Sequence, residues 1–89
     1  MTKNAKLAIQ SMAMDLKRVS LGLQRNSLTM AERFLEEARK RKKEINLSAY
    51  PDYIARLVQK VSTLRLKEKD KLSEDCLMYS ILLQNFASK

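Results

Sequence analysis

Histidine and tryptophan are missing from this chain, and cysteine, glycine and proline occur once each. Without histidine there is no Ser-His or Cys-His pair for nucleophilic catalysis, no imidazole zinc ligand and no Glu-x-x-His di-iron site of the helical-bundle type. With one glycine there is no phosphate-binding loop of the P-loop or dinucleotide kind. We therefore expect that the protein is not an enzyme and that it holds neither a metal nor a cofactor.

Disulfides and long hydrophobic runs are missing as well. The only cysteine, Cys76, lies in an apolar run with no base nearby in sequence, so we expect a small core residue rather than a nucleophile. A single cysteine is typical of a reducing compartment. No stretch approaches the roughly 18 apolar residues of a transmembrane helix, and we find no signal peptide. These observations predict a soluble cytoplasmic protein.

The composition that remains favours helix throughout. The 89 residues suffice for one domain, 1–89, and the chain is rich in Leu, Lys, Ala, Glu, Met and Arg. A hydrophobic fraction of 45% argues against disorder. The sequence therefore indicates a single all-α domain.

The C-terminal stretch from Leu72 to Phe86 is the most apolar part of the chain. One helical face is formed by residues that recur every three or four positions: Leu72, Cys76, Tyr79, Leu83 and Phe86. Four more apolar residues cover most of the remaining circumference: Leu77, Met78, Ile81 and Leu82. A helix that is apolar nearly all round belongs inside a bundle or against a partner.

Apolar spacing predicts three further helices before this one. The first carries Ile9, Met12, Leu16, Val19 and Leu23 on one face, with a second apolar row of Leu7, Met14 and Leu21. Thr29-Met30-Ala31-Glu32 has the form of a capping box, which favours a break between the first two helices. Pro51 fits the first position of the third helix. The predicted helices cover 3–25, 29–45, 51–67 and 71–87, with Asp70 or Ser73 as the last cap.

Short connections make consecutive helices antiparallel neighbours. We therefore expect an up-and-down bundle of four helices, or of three if the first two are fused. The apolar C-terminal helix has more surface than three narrow apolar stripes can cover, so we expect a homodimer.

The charge is strongly one-sided. The 18 Lys and Arg against 10 Asp and Glu give a formal net charge of +8, which attracts nucleic acid, anionic lipid or an acidic protein. The most conspicuous basic motif is the run of five cations at 39–43, at the end of the second predicted helix. It is read equally well as a binding patch or as a solvated helix end, with ion pairs from Glu36 to Lys40 and from Glu37 to Arg41.

A second basic feature lies on the third predicted helix. Arg56, Lys60 and Lys67 are spaced by four and seven, so a helix over 51–67 would align them in a row of about 16 Å. Such a row is able to follow phosphates, and the alternative is a soluble helix face. Tyr50 and Tyr53 lie at the head of this helix, where an exposed ring would stack on a base or pack at the helix entry.

The leading hypothesis is a small regulatory or accessory protein that binds nucleic acid, DNA or RNA, through phosphate contacts. Its candidate residues are Arg56, Lys60, Lys67, Arg39, Lys42 and Lys43. The alternative is a protein-interaction module, an adaptor, antagonist or assembly factor that docks through apolar helix faces and has an acidic partner. A third hypothesis is peripheral binding to anionic membranes through the basic first helix.

Overall fold

The computed structural model describes residues 3–65 and 69–88, with side chains from Lys6 onwards. It contains four α-helices: α1 (Lys3–Gln24), α2 (Leu28–Glu44), α3 (Asp52–Val61) and α4 (Lys69–Ala87). A short 3-10 turn, Leu47–Ala49, joins α2 to α3. Within the described ranges there is no strand. The prediction of an all-α helical bundle is confirmed, and the first two helices are separate.

Helix α1 is the centre of the bundle, because it packs along both α2 and α4. The Ser20 hydroxyl near the end of α1 lies 3.1 Å from the Ser73 hydroxyl near the start of α4, so these two helices run antiparallel. At the other end of α4 the Phe86 ring meets the rings of Tyr50 and Tyr53 edge-on, with centroids 6.0 and 6.2 Å away. Helix α3 therefore begins where α4 ends.

The core is built from the apolar rows that the spacing predicts. The α1 row is buried, and so are the inner residues of α2 and α3. On α4 the buried residues form what we call the inner face. The largest fully buried side chains are Ile9, Met12, Leu16, Val19, Ile54, Val58, Val61, Cys76 and Leu83. The inner face of α4 consists of Leu72, Cys76, Ser80, Leu83 and Ala87.

A Schellman motif ends α1 and turns the chain into α2. Asn26 has a left-handed φ of 57°, its N–H donates to the Leu23 carbonyl at 3.2 Å, and the Ser27 N–H donates to the Gly22 carbonyl at 2.8 Å. Gly22 is needed for a different reason. A Cβ at this position would lie 3.0 Å from the Ala31 backbone nitrogen, so glycine is what lets α1 and α2 approach this closely.

The predicted capping box is wrong. Helix α2 begins at Leu28, with Ser27 as its N-cap, and the Ser27 side chain makes no capping hydrogen bond. The Schellman turn already fixes the chain direction, and the Ala31 N–H donates to the Ser27 carbonyl at 3.0 Å. Thr29 is therefore inside the first helical turn rather than before it.

Helix α3 ends at Val61, six residues earlier than the predicted end at 67. Ser62 and Thr63 account for the early end. Their hydroxyls donate to the carbonyls of Gln59 at 2.6 Å and Lys60 at 2.7 Å. Such local side-chain bonds compete with helix continuation.

Helix α4 begins at Lys69, two residues before the predicted start, so Ser73 is an internal residue of the helix and not its cap. Ser73 and the buried Ser80 face the bundle, because the Ser73 hydroxyl contacts Ser20 on α1. The small serine side chains let α4 pack closely on α1. The exposed apolar residues of the same helix, Leu77, Met78, Ile81 and Leu82, point away from the bundle.

Candidate functional site

One side of α4 is apolar and uncovered. Four large side chains keep between 40% and 50% of their surface exposed: Leu77, Met78, Ile81 and Leu82. At 100° per residue they lie opposite the inner face, so we call them the outer face of α4. Exposed apolar residues that occur singly are normal, whereas a contiguous group marks an interaction surface.

The outer face forms a shallow groove. It has a volume of about 370 Å³, and Glu74 lines its N-terminal end. Glu74 is the only charged residue in this lining, which otherwise consists of the four apolar side chains. A surface with this chemistry suits the apolar side of another helix.

A second depression, of about 320 Å³, lies between α1 and α4. It is lined by Met14, Lys17, Arg18, Leu21 and Gln84. Gln84 follows Ile81 by three positions on α4, so the depression borders the outer face. Met14 is 53% exposed, and it belongs to the second apolar row that the spacing of seven reveals in the sequence. Apolar surface therefore extends from α4 onto α1, where Lys17 and Arg18 flank it.

Two of the six predicted nucleic-acid contacts form hydrogen bonds within the chain. Arg39 donates from its guanidinium to the Leu64 carbonyl, just beyond the end of α3. The Lys42 ammonium donates to the Ser62 hydroxyl at 3.4 Å. Both side chains thus bind the segment that ends α3, and neither is presented as a free cation. The cations of the run at 39–43 therefore do not all point into solvent.

Of the other three cations in this run, Lys40 and Arg41 form ion pairs and Lys43 points into solvent. Lys40 pairs with Glu37 at 3.9 Å, and Arg41 pairs with Asp15 and Glu44. The predicted pairs Glu36–Lys40 and Glu37–Arg41 do not form, because Arg41 turns towards α1. Lys43 is exposed.

The predicted row on α3 is shorter than expected. Arg56 and Lys60 are both exposed, one turn apart, and neither forms an ion pair within the described residues. Lys67 lies outside the described residues, and α3 ends six residues before it. A continuous helical row of three cations is therefore not formed. Tyr50 is buried and Tyr53 is exposed, but both pack against Phe86.

Asp15 is an ionisable group buried between α1 and α2, with only 4% of the residue exposed. Arg41 donates from Nε to its carboxylate at 3.2 Å, and Arg18 approaches it at 3.9 Å. Burial raises the pKa of Asp15 above its ordinary value of 3.8, although the hydrogen bond and charge of Arg41 and the charge of Arg18 act in the opposite direction. The sequence shows this acid only as a neighbour of the cations on α1, and no pattern in it reveals the burial.

Cys76 is buried on the inner face of α4, as predicted. Burial, with a smaller contribution from the Asp75 charge, raises the pKa of its thiol to about 12. A thiol in this state is inert at neutral pH. Among the side chains of residues 6–65 and 69–88, no cluster of three or more acids and cysteines is placed to bind a metal ion.

Within the described ranges, no helix has the length and apolar content needed to cross a membrane. Comparison of the chain with protein-family models, with curated proteins and with solved structures gave no match. Its own side chains are therefore the basis for assigning a function.

Proposed function

We propose that this protein is a small interaction module that joins protein chains by docking a helix on the outer face of α4. The observation that carries the proposal is the exposure of Leu77, Met78, Ile81 and Leu82 on one side of a single helix. The inner face of the same helix supplies its packing within the bundle. The outer residues are therefore surplus to the fold of one chain, and they suit a partner surface.

The energetic gain from covering this face is moderate. Complete burial of an apolar side chain of this size contributes roughly 1.5–3 kcal/mol. About half of each side chain is still exposed, so the four together offer roughly 3–6 kcal/mol on docking. Part of this gain offsets the lost freedom of two chains. We therefore expect a reversible association rather than a permanent complex.

The test compares tagged wild-type protein with a Met78→Glu, Ile81→Glu variant as bait in a native extract. Leu28→Glu is the matched control, because Leu28 is 43% exposed but lies on α2. We expect that an identified protein binds wild type and the Leu28→Glu control and is lost with the α4 variant. The same captured proteins for all three baits would contradict the proposal.

A second candidate function is nucleic-acid binding. It is favoured by the exposed side chains of Arg56 and Lys60, neither of which forms an ion pair within the described part of the chain. Of the other predicted residues, Lys43 is exposed, whereas Arg39 and Lys42 bind the end of α3. This smaller group of cations is the reason that we place the function second.

Binding to labelled duplex DNA, single-stranded DNA and RNA at two salt concentrations tests this second function. Phosphate contacts predict affinity that falls with salt, and a smaller salt slope for an Arg56→Glu, Lys60→Glu variant. Lys17→Glu, Arg25→Glu is the control, since it reverses the same number of charges on α1 and in the turn that follows it. An equal loss in both variants would show non-specific attraction to net charge and would contradict a site on α3.

A further inference from the structure

We infer that the partner on the outer face of α4 is the same face of a second copy of this chain, packed antiparallel. This inference rests on the proposed function, because it assigns an occupant to that docking surface. Its basis is the symmetry of the residues along this side of α4 and the charge of the whole helix.

The pattern of apolar and polar residues along this side of α4 is the same in both directions. Six positions lie symmetrically about the point midway between residues 79 and 80: Glu74, Leu77, Met78, Ile81, Leu82 and Asn85. In an antiparallel pair with a two-fold axis at this point, Leu77 faces Leu82 of the second copy and Met78 faces Ile81. Each contact occurs twice, which is the self-complementarity that a two-fold interface requires.

The polar ends of the face also match. Glu74 lies opposite Asn85 of the second copy, so a carboxylate meets an amide that is able to donate a hydrogen bond to it. No charge of the same sign faces Glu74 in this register. In a parallel pair, by contrast, the two Glu74 side chains would face each other and repel.

The charge of the helices favours α4 over the others as the contact between two copies. Helix α4 has Lys69 and Lys71 against Asp70, Glu74 and Asp75, a balance of −1. The balance is positive on α1, α2 and α3. Two chains of net charge +8 meet with least repulsion through α4, which among the helices of the described ranges is the one of negative balance.

The length of the face sets the strength of the association. From Glu74 to Asn85 the helix rises about 16 Å. Two such stripes cover less than the roughly 800 Å² per partner of a standard interface. We therefore expect a dissociation constant between about 1 µM and about 1 mM, and a dimer that forms only as concentration rises.

Sedimentation equilibrium across that concentration range is the first test. We expect a mass that rises from 10.3 kDa towards twice this value for wild type and Leu28→Glu, and a constant monomer mass for Ile81→Glu. Circular dichroism establishes that each variant is folded. A wild-type monomer at every concentration, or a dimer that persists in folded Ile81→Glu, would overturn the inference.

Crosslinking tests the antiparallel register in a Cys76→Ser background. Glu74→Cys and Asn85→Cys are treated with a short bis-maleimide, separately and as a mixture. The mixture should give a covalent dimer and each single variant should not, because equivalent residues lie about 16 Å apart along the pair. Equal crosslinking of the separate variants would overturn the register. If the protein stays monomeric but binds a different protein through Met78 and Ile81, the inference that the partner is a second copy is wrong. The proposed function would still hold in that case.

Discussion

Both faces of α4 carry large apolar residues, but one face is buried in the bundle and the other is exposed to solvent. The inner face is covered by α1 and carries buried Leu72, Cys76 and Leu83. The outer face has Leu77, Ile81 and their neighbours, each with about half of its surface in water. Adjacent leucines illustrate the contrast, because Leu83 is fully buried whereas Leu82 is 42% exposed.

This difference shows that periodicity identifies an apolar helix face but does not say which other element will bury it. The other helices of the bundle bury only the inner face of α4. The side that meets α1 carries two serines, of which Ser73 contacts Ser20 and Ser80 is buried. The bulkier side is left for an association outside the chain.

The largest difference between the faces is expected in thiol chemistry. Cys76 on the inner face has a thiol pKa raised to about 12 by burial, against an ordinary value of 9.0. The thiolate fraction at neutral pH is therefore lower by roughly a thousandfold. Alkylation of folded wild type should be slower by about this factor than alkylation of Ile81→Cys in a Cys76→Ser background. Comparable rates, measured by mass spectrometry, would mean that the inner face opens readily.

The next largest difference concerns stability at Leu82 and Leu83. Leu83→Ala removes a fully buried side chain and should lower the free energy of unfolding by about 2–5 kcal/mol. Leu82→Ala removes an exposed one and should change it by less than about 1 kcal/mol in the monomer. Urea unfolding of both variants in an Ile81→Glu background, where we expect no dimer, measures the two losses. Similar losses at the two positions would erase the distinction between the faces.

Gly22 gives a smaller effect on the covered side of the molecule. In an exposed helix interior, Gly→Ala stabilises by up to about 1 kcal/mol. Here the new Cβ would lie 3.0 Å from the Ala31 backbone, so α1 and α2 must separate. We expect Gly22→Ala to destabilise by about 1–3 kcal/mol. A rise in the urea midpoint would show that this helix contact is loose.

Asp15 gives the smallest effect, and it depends on pH. Its pKa in the folded state is raised by burial above 3.8, so the folded protein binds this proton more tightly than the unfolded chain does. The contribution to stability is therefore greatest below the ordinary pKa and is lost as pH rises through the folded pKa. Relative to wild type, Asp15→Asn should gain stability as the pH rises from below 3.8 through the raised pKa of Asp15 in the folded state.

Arg41→Met is the matched variant for this pair. It should be less stable than Asp15→Asn at neutral pH by about 1–3 kcal/mol, because it leaves a buried carboxylate with Arg18 at 3.9 Å as its remaining cation. Urea midpoints of the three proteins across the pH range provide the measurement. A difference between wild type and Asp15→Asn that does not vary with pH would contradict the assignment.

Much of the fold could be predicted from sequence, because it depends on local periodicity. Three- and four-residue spacing predicts Ile9, Leu16 and Val19 in the core, and on α4 it predicts Leu72, Cys76 and Leu83 correctly. The other two residues of the predicted α4 face, Tyr79 and Phe86, are only partly buried, and Ser80 and Ala87 complete the inner face instead. Helix ends were less predictable. The end of α3 depends on whether the Ser62 and Thr63 hydroxyls bond to the backbone, a choice that propensity does not decide.

The surface was predicted less well, because its chemistry depends on tertiary contacts. Arg39 and Lys42 belong to a run of cations that is typical of a phosphate site. In the fold, both side chains form hydrogen bonds to the segment that follows α3, which the sequence pattern does not show. The outer face of α4 was visible as excess apolar residues, but its exposure follows from which side of the helix meets α1. By propensity Gly22 is unfavourable inside a helix, and only the approach of Ala31 explains why glycine stands there.

The outer face of α4 can be tested most directly with a photo-crosslinking amino acid in cells. Placed at Ile81, it should give a specific protein adduct, at twice 10.3 kDa if the partner is a second copy. Placed at Gln59, an exposed position of α3, it should give none. Adducts of equal yield at both positions, or none at position 81, would contradict the claim that this face is an interface.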